Sequence, residues 1–95
     1  MTILRLNEFY VSSEDLSNSY KIYVEINKDI FPIFDIEFSD QKILLVPNKY
    51  KHPLTLSQFN TRTSQLDDHL SLFCKTNEIP KLFGYRLKND QLIFG

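Results

Sequence analysis

The residues best suited to bind a charged partner lie in one loop, residues 47–53, which reads Pro-Asn-Lys-Tyr-Lys-His-Pro. The loop leads into the start of a predicted helix, and helix N-termini favour anions. Lys49, Tyr50, Lys51 and His52 are therefore candidate binding residues for a phosphate or a carboxylate-rich partner. The alternative is that the two prolines make a stiff, soluble connection between a strand and the helix.

A second candidate surface follows from spacing. Gln58, Arg62, Gln65, His69 and Leu72 are separated by four, three, four and three residues, which places them on one face of a helix. Arg62 and His69 would be the hydrogen-bonding anchors of such a binding surface. An ordinary solvated helix face fits the same spacing.

The residue types needed for catalysis or metal binding are not predicted to come together in one site. One cysteine and two histidines are too few for a standard structural zinc site, and two glycines cannot build a phosphate-binding loop. Cys74 could pair with His52 in three dimensions, but its predicted place on the core side indicates an inert thiol. Asp67 and Asp68 are adjacent, so on a helix they diverge by about 100°. We expect no catalytic residue, no metal and no cofactor, and therefore not an enzyme.

One long helix is predicted over residues 54–77. Leu56, Phe59, Thr63, Leu66, Leu70 and Phe73 follow the spacing of a single helix face. Thr55 or Ser57 can cap its start, and Pro80 ends it. Leu66, Leu70 and Phe73 are expected to be buried against the sheet.

The rest of the chain is predicted to form strands. Residues 3–6 are a short strand candidate, and residues 9–11 either extend it or start another strand. Residues 12–19 are predicted to be a polar loop, with or without one helical turn capped by Ser12 or Ser13. Residues 20–26, 33–38 and 43–46 make an antiparallel meander, with Phe34, Ile36 and Phe38 toward the core. Residues 83–87 and 91–94 flank a turn at Asn89-Asp90. The prediction is one α+β domain over residues 1–95: five to six antiparallel strands against one long helix, in the order β-β-β-β-α-β-β, with no internal repeat.

The amino-acid composition and the N-terminal sequence suggest the source and the cellular location of the protein. The chain is rich in Phe, Tyr, Ile, Asn and Lys and has no Ala, which suggests an AT-rich genome such as that of a low-GC bacterium or its phages. The N-terminus has no secretory leader, no apolar run spans a bilayer, and a single cysteine suits a reducing cytosol, so a cytoplasmic location without membrane contact is expected.

Charge is unevenly distributed along the chain. Residues 1–40 hold eight acids against three bases, a balance of −5, and residues 41–95 hold four acids against eight bases, a balance of +4. This could be a chance feature of a solvated surface. It could also give the molecule one acidic and one basic face, each able to steer a partner. A third candidate surface is Tyr23, Asp35 and Glu37 on the non-core face of the sheet, which could bind a basic surface or be a plain exposed sheet face.

The leading functional hypothesis is a small non-enzymatic protein-interaction domain with a regulatory or inhibitory role. The alternative is nucleic-acid binding through the basic half, with Tyr50 or Tyr85 stacking on bases among Lys49, Lys51, Lys81, Arg86 and Lys88. A pI of about 6.1 weighs against it. The consecutive apolar residues Leu92, Ile93 and Phe94 at the last strand predict either a central strand or a homodimer through an exposed edge.

Overall fold

The computed structural model describes residues 2–95, so Met1 of the predicted domain lies outside them. Within that range the chain is α+β, as predicted. Its elements are α1 (Leu6–Ser13), β1 (Lys21–Ile26), β2 (Asp29–Ser39), β3 (Lys42–Pro47), α2 (Leu56–Thr63), β4 (Leu72–Cys74), β5 (Tyr85–Lys88) and β6 (Gln91–Phe94).

The prediction of one long helix is wrong, because α2 ends at Thr63. Its start is as predicted: Thr55 Oγ1 accepts the N–H of Gln58, and the Gln58 side chain accepts the N–H of Thr55. Near the C-terminal end of α2, hydroxyl side chains compete with backbone N–H groups for the helix carbonyls. There Ser64 Oγ donates to the carbonyl of Thr61. Turns follow instead of helix.

The apolar spacing that suggested a longer helix continues into these turns. Leu66 and Leu70 are half-buried against the core there, and Phe73 lies in β4. The stripe from Gln58 to Leu72 is therefore not one helix face.

The N-terminal prediction is also wrong, because residues 6–13 form helix α1 and not a strand. Leu6, Phe9 and Ser13 are its buried residues, at spacings of three and four. The Glu8 carboxylate accepts the backbone N–H of Arg5 at 2.9 Å and closes the first turn. The aromatic and β-branched residues Phe9, Tyr10 and Val11 suggested a strand, but burial of one helix face outweighs their strand preference.

The six strands form a mixed sheet in the order β4-β3-β2-β1-β6-β5. The predicted meander β1-β2-β3 is confirmed and antiparallel. The pairs β1–β6 and β3–β4 are parallel, which corrects the prediction of a wholly antiparallel sheet. Because β6 has β1 on one side and β5 on the other, the edge on which the predicted homodimer through Leu92–Phe94 depended is already paired within the chain.

An irregularity in β2 changes which residues face the core. The pairing with β3 shifts between Ile33 and Asp35, as a β-bulge does. Ile33 is fully buried in the core, whereas Phe38 is half exposed and Phe34 does not join the core cluster. Of the predicted set Phe34, Ile36 and Phe38, only Ile36 packs on the core.

A half-turn rotation relates the two halves of the chain. The bridge Arg5–Ser71 has a counterpart in Lys21–Thr55, each residue fifty positions from its equivalent. Reciprocal contacts of this kind indicate two-fold symmetry. Further backbone hydrogen bonds come in the same equivalent pairs: Ile22 N to Leu54 O with Leu72 N to Leu4 O, Leu56 N to Tyr20 O with Leu6 N to Leu70 O, and Ser57 N to Asn18 O with Asn7 N to Asp68 O.

The chain is thus a tandem repeat of one helix followed by three strands, which corrects the prediction of no internal repeat. Identical residues recur at an offset of fifty in the first part of each repeat: Leu4 and Leu54, Leu6 and Leu56, Phe9 and Phe59, Leu16 and Leu66, Asn27 and Asn77. In the final hairpins the structural offset is forty-nine. Ser39 pairs with Lys42 around one turn, and Lys88 pairs with Gln91 around the other.

The core lies where the two repeats meet. Phe9 of α1 and Phe59 of α2 are fully buried, with ring centroids 5.1 Å apart in an edge-to-face arrangement. Phe94 of β6 packs against both rings, at 5.1 and 5.9 Å. Each repeat alone would leave these rings in water, so the two repeats stabilise each other through the hydrophobic effect.

Candidate functional site

A groove opens where the ends of several strands meet. Ile26, Phe31, Pro47, Asn48 and Thr76 line it together with Lys49, and its volume is about 350 Å³. It continues past Asn27 and Asn77 toward Glu78 and Pro80, because Ile26 and Thr76 border both parts.

The groove belongs to both repeats. Ile26 and Thr76 are equivalent residues, fifty positions apart, and so are Asn27 and Asn77. When two symmetry-related residues border one cavity, the axis that relates them passes close to that cavity. Phe31 and Pro47 come from the first repeat and supply apolar walls, whereas the second repeat supplies Thr76 and Glu78. The two walls therefore differ in chemistry, which gives the groove a direction.

The predicted binding loop borders this groove. Asn48 organises it: its side-chain oxygen accepts the N–H of Tyr50 at 2.9 Å, and its carbonyl accepts the N–H of Lys51 at 3.2 Å. Tyr50 is 83% exposed, with the Lys49 ammonium 5.1 Å from its ring centroid. Lys51 and His52 are also exposed. Of the four, only Lys49 lines the groove itself.

The other two predicted site residues are engaged elsewhere. Arg62 of α2 donates to the Asp35 carboxylate of β2 at 2.5 Å. His69 is exposed in the turn after α2, where its Nδ1 lies 3.4 Å from the Asn7 side-chain amide of α1. The structure therefore keeps the loop residues in one segment but gives Arg62 and His69 contacts between the repeats.

The uneven charge of the chain is balanced between its halves. Four ion pairs join the first repeat to the second: Lys21–Asp90, Asp35–Arg62, Glu37–Lys75 and Glu25–Arg86. Glu25–Arg86 and Lys75–Glu37 occupy equivalent places with the charges reversed. Each exposed pair contributes only about 0–1 kcal/mol. Because these ion pairs place acids beside bases, Asp35, Glu37 and Arg86 do not form separate acidic and basic faces.

The Cys74 thiol and the cluster of Asp67, Asp68 and His69 contain reactive groups, but both are unsuited to catalysis. Cys74 is buried, and desolvation raises the pKa of its thiol to about 11, so the neutral, unreactive form prevails at pH 7. Asp67, Asp68 and His69 lie within 4.8 Å of one another but are all exposed. Carboxylates in water gather in this way without any metal, and the Asp67 side chain already accepts the N–H of His69 at 2.9 Å.

One residue at the groove has an unusual backbone. Ile79 lies between the lining residues Glu78 and Pro80, has φ of 47° and is 40% exposed. Sequence reasoning missed it, together with the groove walls Ile26, Phe31 and Thr76. The available signal was the repeat, since aligning the halves at an offset of fifty brings Ile26 opposite Thr76.

No family model, curated protein or solved structure compared with the chain matches it. Among residues 2–95, both helices are far shorter than a membrane-spanning helix.

Proposed function

We propose that this chain is a non-enzymatic protein-interaction domain, regulatory or inhibitory in role, whose groove between the two repeats binds an extended segment of a partner protein. The observation that carries the proposal is the groove with its rim. Its apolar residues Ile26, Phe31 and Pro47 share the groove with Lys49, and the next residue of the loop, Tyr50, is 83% exposed. An exposed apolar surface rimmed by polar residues marks an interaction site more often than a plain solvated surface.

The loop beside the groove supports the same function. Lys49 and Lys51 have no carboxylate within salt-bridge distance among residues 2–95, unlike Arg62, Lys75 and Arg86. Free lysines at the edge of an apolar groove steer acidic partners and are screened by salt. We also propose, from the amino-acid composition alone, that the chain is a cytoplasmic protein of a bacterium or a phage.

A peptide-display selection on the immobilised chain tests the function. Enriched peptides should shift the backbone amide resonances of Ile26, Asn48 and Thr76 in a heteronuclear spectrum. A variant with serine at positions 49, 51 and 52 should remain folded, bind these peptides about tenfold more weakly and lose salt dependence.

The matched control replaces Lys81 and Lys88 with serine, which removes the same lysine charge from exposed positions outside the loop. This control should bind as the parent does. A selection that enriches no peptide, or resonance shifts away from the groove, would rule out the proposed function.

Nucleic-acid binding is the second candidate, because Tyr50 is highly exposed between two lysines and could stack on a base. The other proposed stacking residue is less suited, since the Tyr85 ring packs on Phe9 at 5.3 Å and its hydroxyl donates to Ser12. A salt titration with single-stranded DNA separates the candidates. Phosphate contacts would give a steep loss of affinity with salt that disappears in Tyr50→Ala and the serine variant.

A further inference from the structure

Strand β5 forms one edge of the sheet, and among the strands of residues 2–95 it pairs with β6 alone. The N–H of Gly95 donates to the carbonyl of Gly84 at 3.1 Å, which makes these two residues a hydrogen-bonded pair of the ladder. In an antiparallel ladder only every second residue points its N–H and carbonyl toward the partner strand. Tyr85 and Leu87, which alternate with such residues, therefore point their backbone groups away from the sheet, where a further strand can pair with them.

The equivalent edge of the first repeat is closed by a side chain. Asp35 is the equivalent of Gly84 at the offset of forty-nine, and its carboxylate accepts the N–H of Ile36 at 2.8 Å. The same carboxylate pairs with Arg62 of α2, so an ion pair also borders that edge. Gly84 has no side chain to do this, and a Cβ added to it would meet no atom beyond its chain neighbours within 4 Å. The second repeat thus leaves open the edge that the first repeat closes.

The two glycines of the chain lie together at this edge. Gly84 and Gly95 line one cavity with Arg86, and its volume is about 250 Å³. Neither glycine has positive φ, so the backbone conformation does not require glycine at either position. Their equivalents in the first repeat are Asp35 and Val46, which pair with each other and carry side chains. Glycine within a ladder often marks a place where another backbone approaches closely.

The two faces of β5 differ in chemistry. Tyr85 and Leu87 lie on the face that packs on the core, and Leu87 is 43% exposed at its border. Arg86 and Lys88 lie on the other face and are exposed. Arg86 pairs with Glu25, whereas Lys88 has no carboxylate within salt-bridge distance in the described part of the chain. Neighbouring strands place side chains of the same face beside each other, so a matching strand has apolar residues on one face and acidic residues on the other.

We propose that β5 pairs with an extended segment of a partner protein in which apolar and acidic side chains alternate, and that Gly84 allows the close approach of its backbone. A second copy of this chain fits the edge poorly, because two paired β5 strands would bring the Arg86 and Lys88 side chains of both copies together. The proposal goes beyond the function proposed for the groove, since it concerns a separate site made of different residues.

Two fluorescein-labelled octapeptides test the partner chemistry by polarisation. Both have valine at alternate positions, with glutamate between the valines in one and lysine in the other. The full chain should bind the glutamate peptide at least fivefold more tightly than the lysine peptide. Lys88→Glu should weaken binding of the glutamate peptide about threefold. Its control is Lys28→Glu, the same charge change in the turn after β1, which should leave the affinity unchanged.

Three outcomes of the peptide assay would overturn the proposal: equal binding of the two peptides, no binding of the glutamate peptide, or equal losses in the two charge variants. Binding that is lost in the serine variant of the loop, and not in Lys88→Glu, would also overturn it. That last result would place the peptide in the groove and support the function proposed there.

Substitutions at Gly84 test the strand pairing itself. Gly84→Asn supplies a side-chain oxygen for the N–H of Tyr85, as Asp35 does for Ile36, without adding charge. It should therefore weaken binding of the glutamate peptide about tenfold. Gly84→Ala adds a Cβ but no acceptor and should weaken it by less than about threefold. Both variants should unfold at the urea midpoint of the parent, because the space beside Gly84 is open.

Hydrogen exchange of the parent chain tests the pairing without any substitution. The backbone amides of Tyr85 and Leu87 should become protected when the glutamate peptide is bound, since they would then donate to its carbonyls. Unchanged exchange at both amides, or equal affinities of the asparagine and alanine variants, would refute the proposal. A dimer of the parent chain that Gly84→Asn dissociates would also refute it, because a second copy would then occupy the edge.

Discussion

Replacing Phe59 with alanine should be among the most destabilising single changes in this chain. The ring is fully buried and contacts Phe9 and Phe94, one from each of two other elements. Deleting a buried phenylalanine ring costs about 3–5 kcal/mol through lost transfer energy and the cavity left behind. For 95 residues the whole free energy of unfolding is about 5–14 kcal/mol. The substitution therefore removes about a fifth or more of the total.

Urea unfolding followed by circular dichroism measures this loss as a lower midpoint at unchanged slope. Phe9→Ala should cost as much or more, because Phe9 also contacts Tyr85. The double variant should lose less than the two single losses combined, by about 0.5–1.5 kcal/mol for the aromatic pair. Phe83→Ala, at an exposed ring, is the control and should cost little. A loss below about 0.5 kcal/mol for Phe59→Ala would refute the repeat interface as the core.

Two further predictions concern single side chains. Thr55→Ala should cost about 1 kcal/mol by removing the cap of α2, measured by the same urea titration; Ser57→Ala is the control, and equal losses would contradict the capping role. Because burial raises the pKa of the Cys74 thiol from 9.0 to about 11, the stabilisation from its neutral form is complete below pH 9 and falls as pH rises toward 11. Cys74→Ser should remove that part of the decline, and thiol labelling at pH 8 should be slow until urea unfolds the chain; fast labelling of the folded chain would show an accessible thiol.

Spacing predicted the start of α2 well and its end badly, for a physical reason. Leu56, Phe59 and Thr63 face the core because they are on a helix, whereas Leu66 and Leu70 reach the same core from turns. Apolar spacing records which residues are buried, and a compact turn can bury residues at helical intervals. The abundance of Ser, Thr and Asp over residues 57–68 was the local signal for those turns.

The site was only partly visible for a different reason. Lys49 to His52 could be identified from composition, because a basic loop between prolines is unusual anywhere in a chain. Ile26 and Thr76 meet only because two repeats pack about a common axis. Strand alternation likewise failed in β2, where the pairing shifts after Ile33, Ile33 is fully buried and Phe34 does not join the core cluster.

The parallel pairings between repeats have a kinetic consequence. β1 pairs with β6 through partners such as Lys21 and Gln91, which are seventy residues apart in the chain. Bringing such distant segments together costs chain entropy before the favourable contacts between them have formed. Folding therefore slows as the sequence separation of contacts rises. The hairpins β1–β2, β2–β3 and β5–β6 can form locally and early. The rate-limiting step should be the meeting of the two repeats, on a timescale of about milliseconds to seconds.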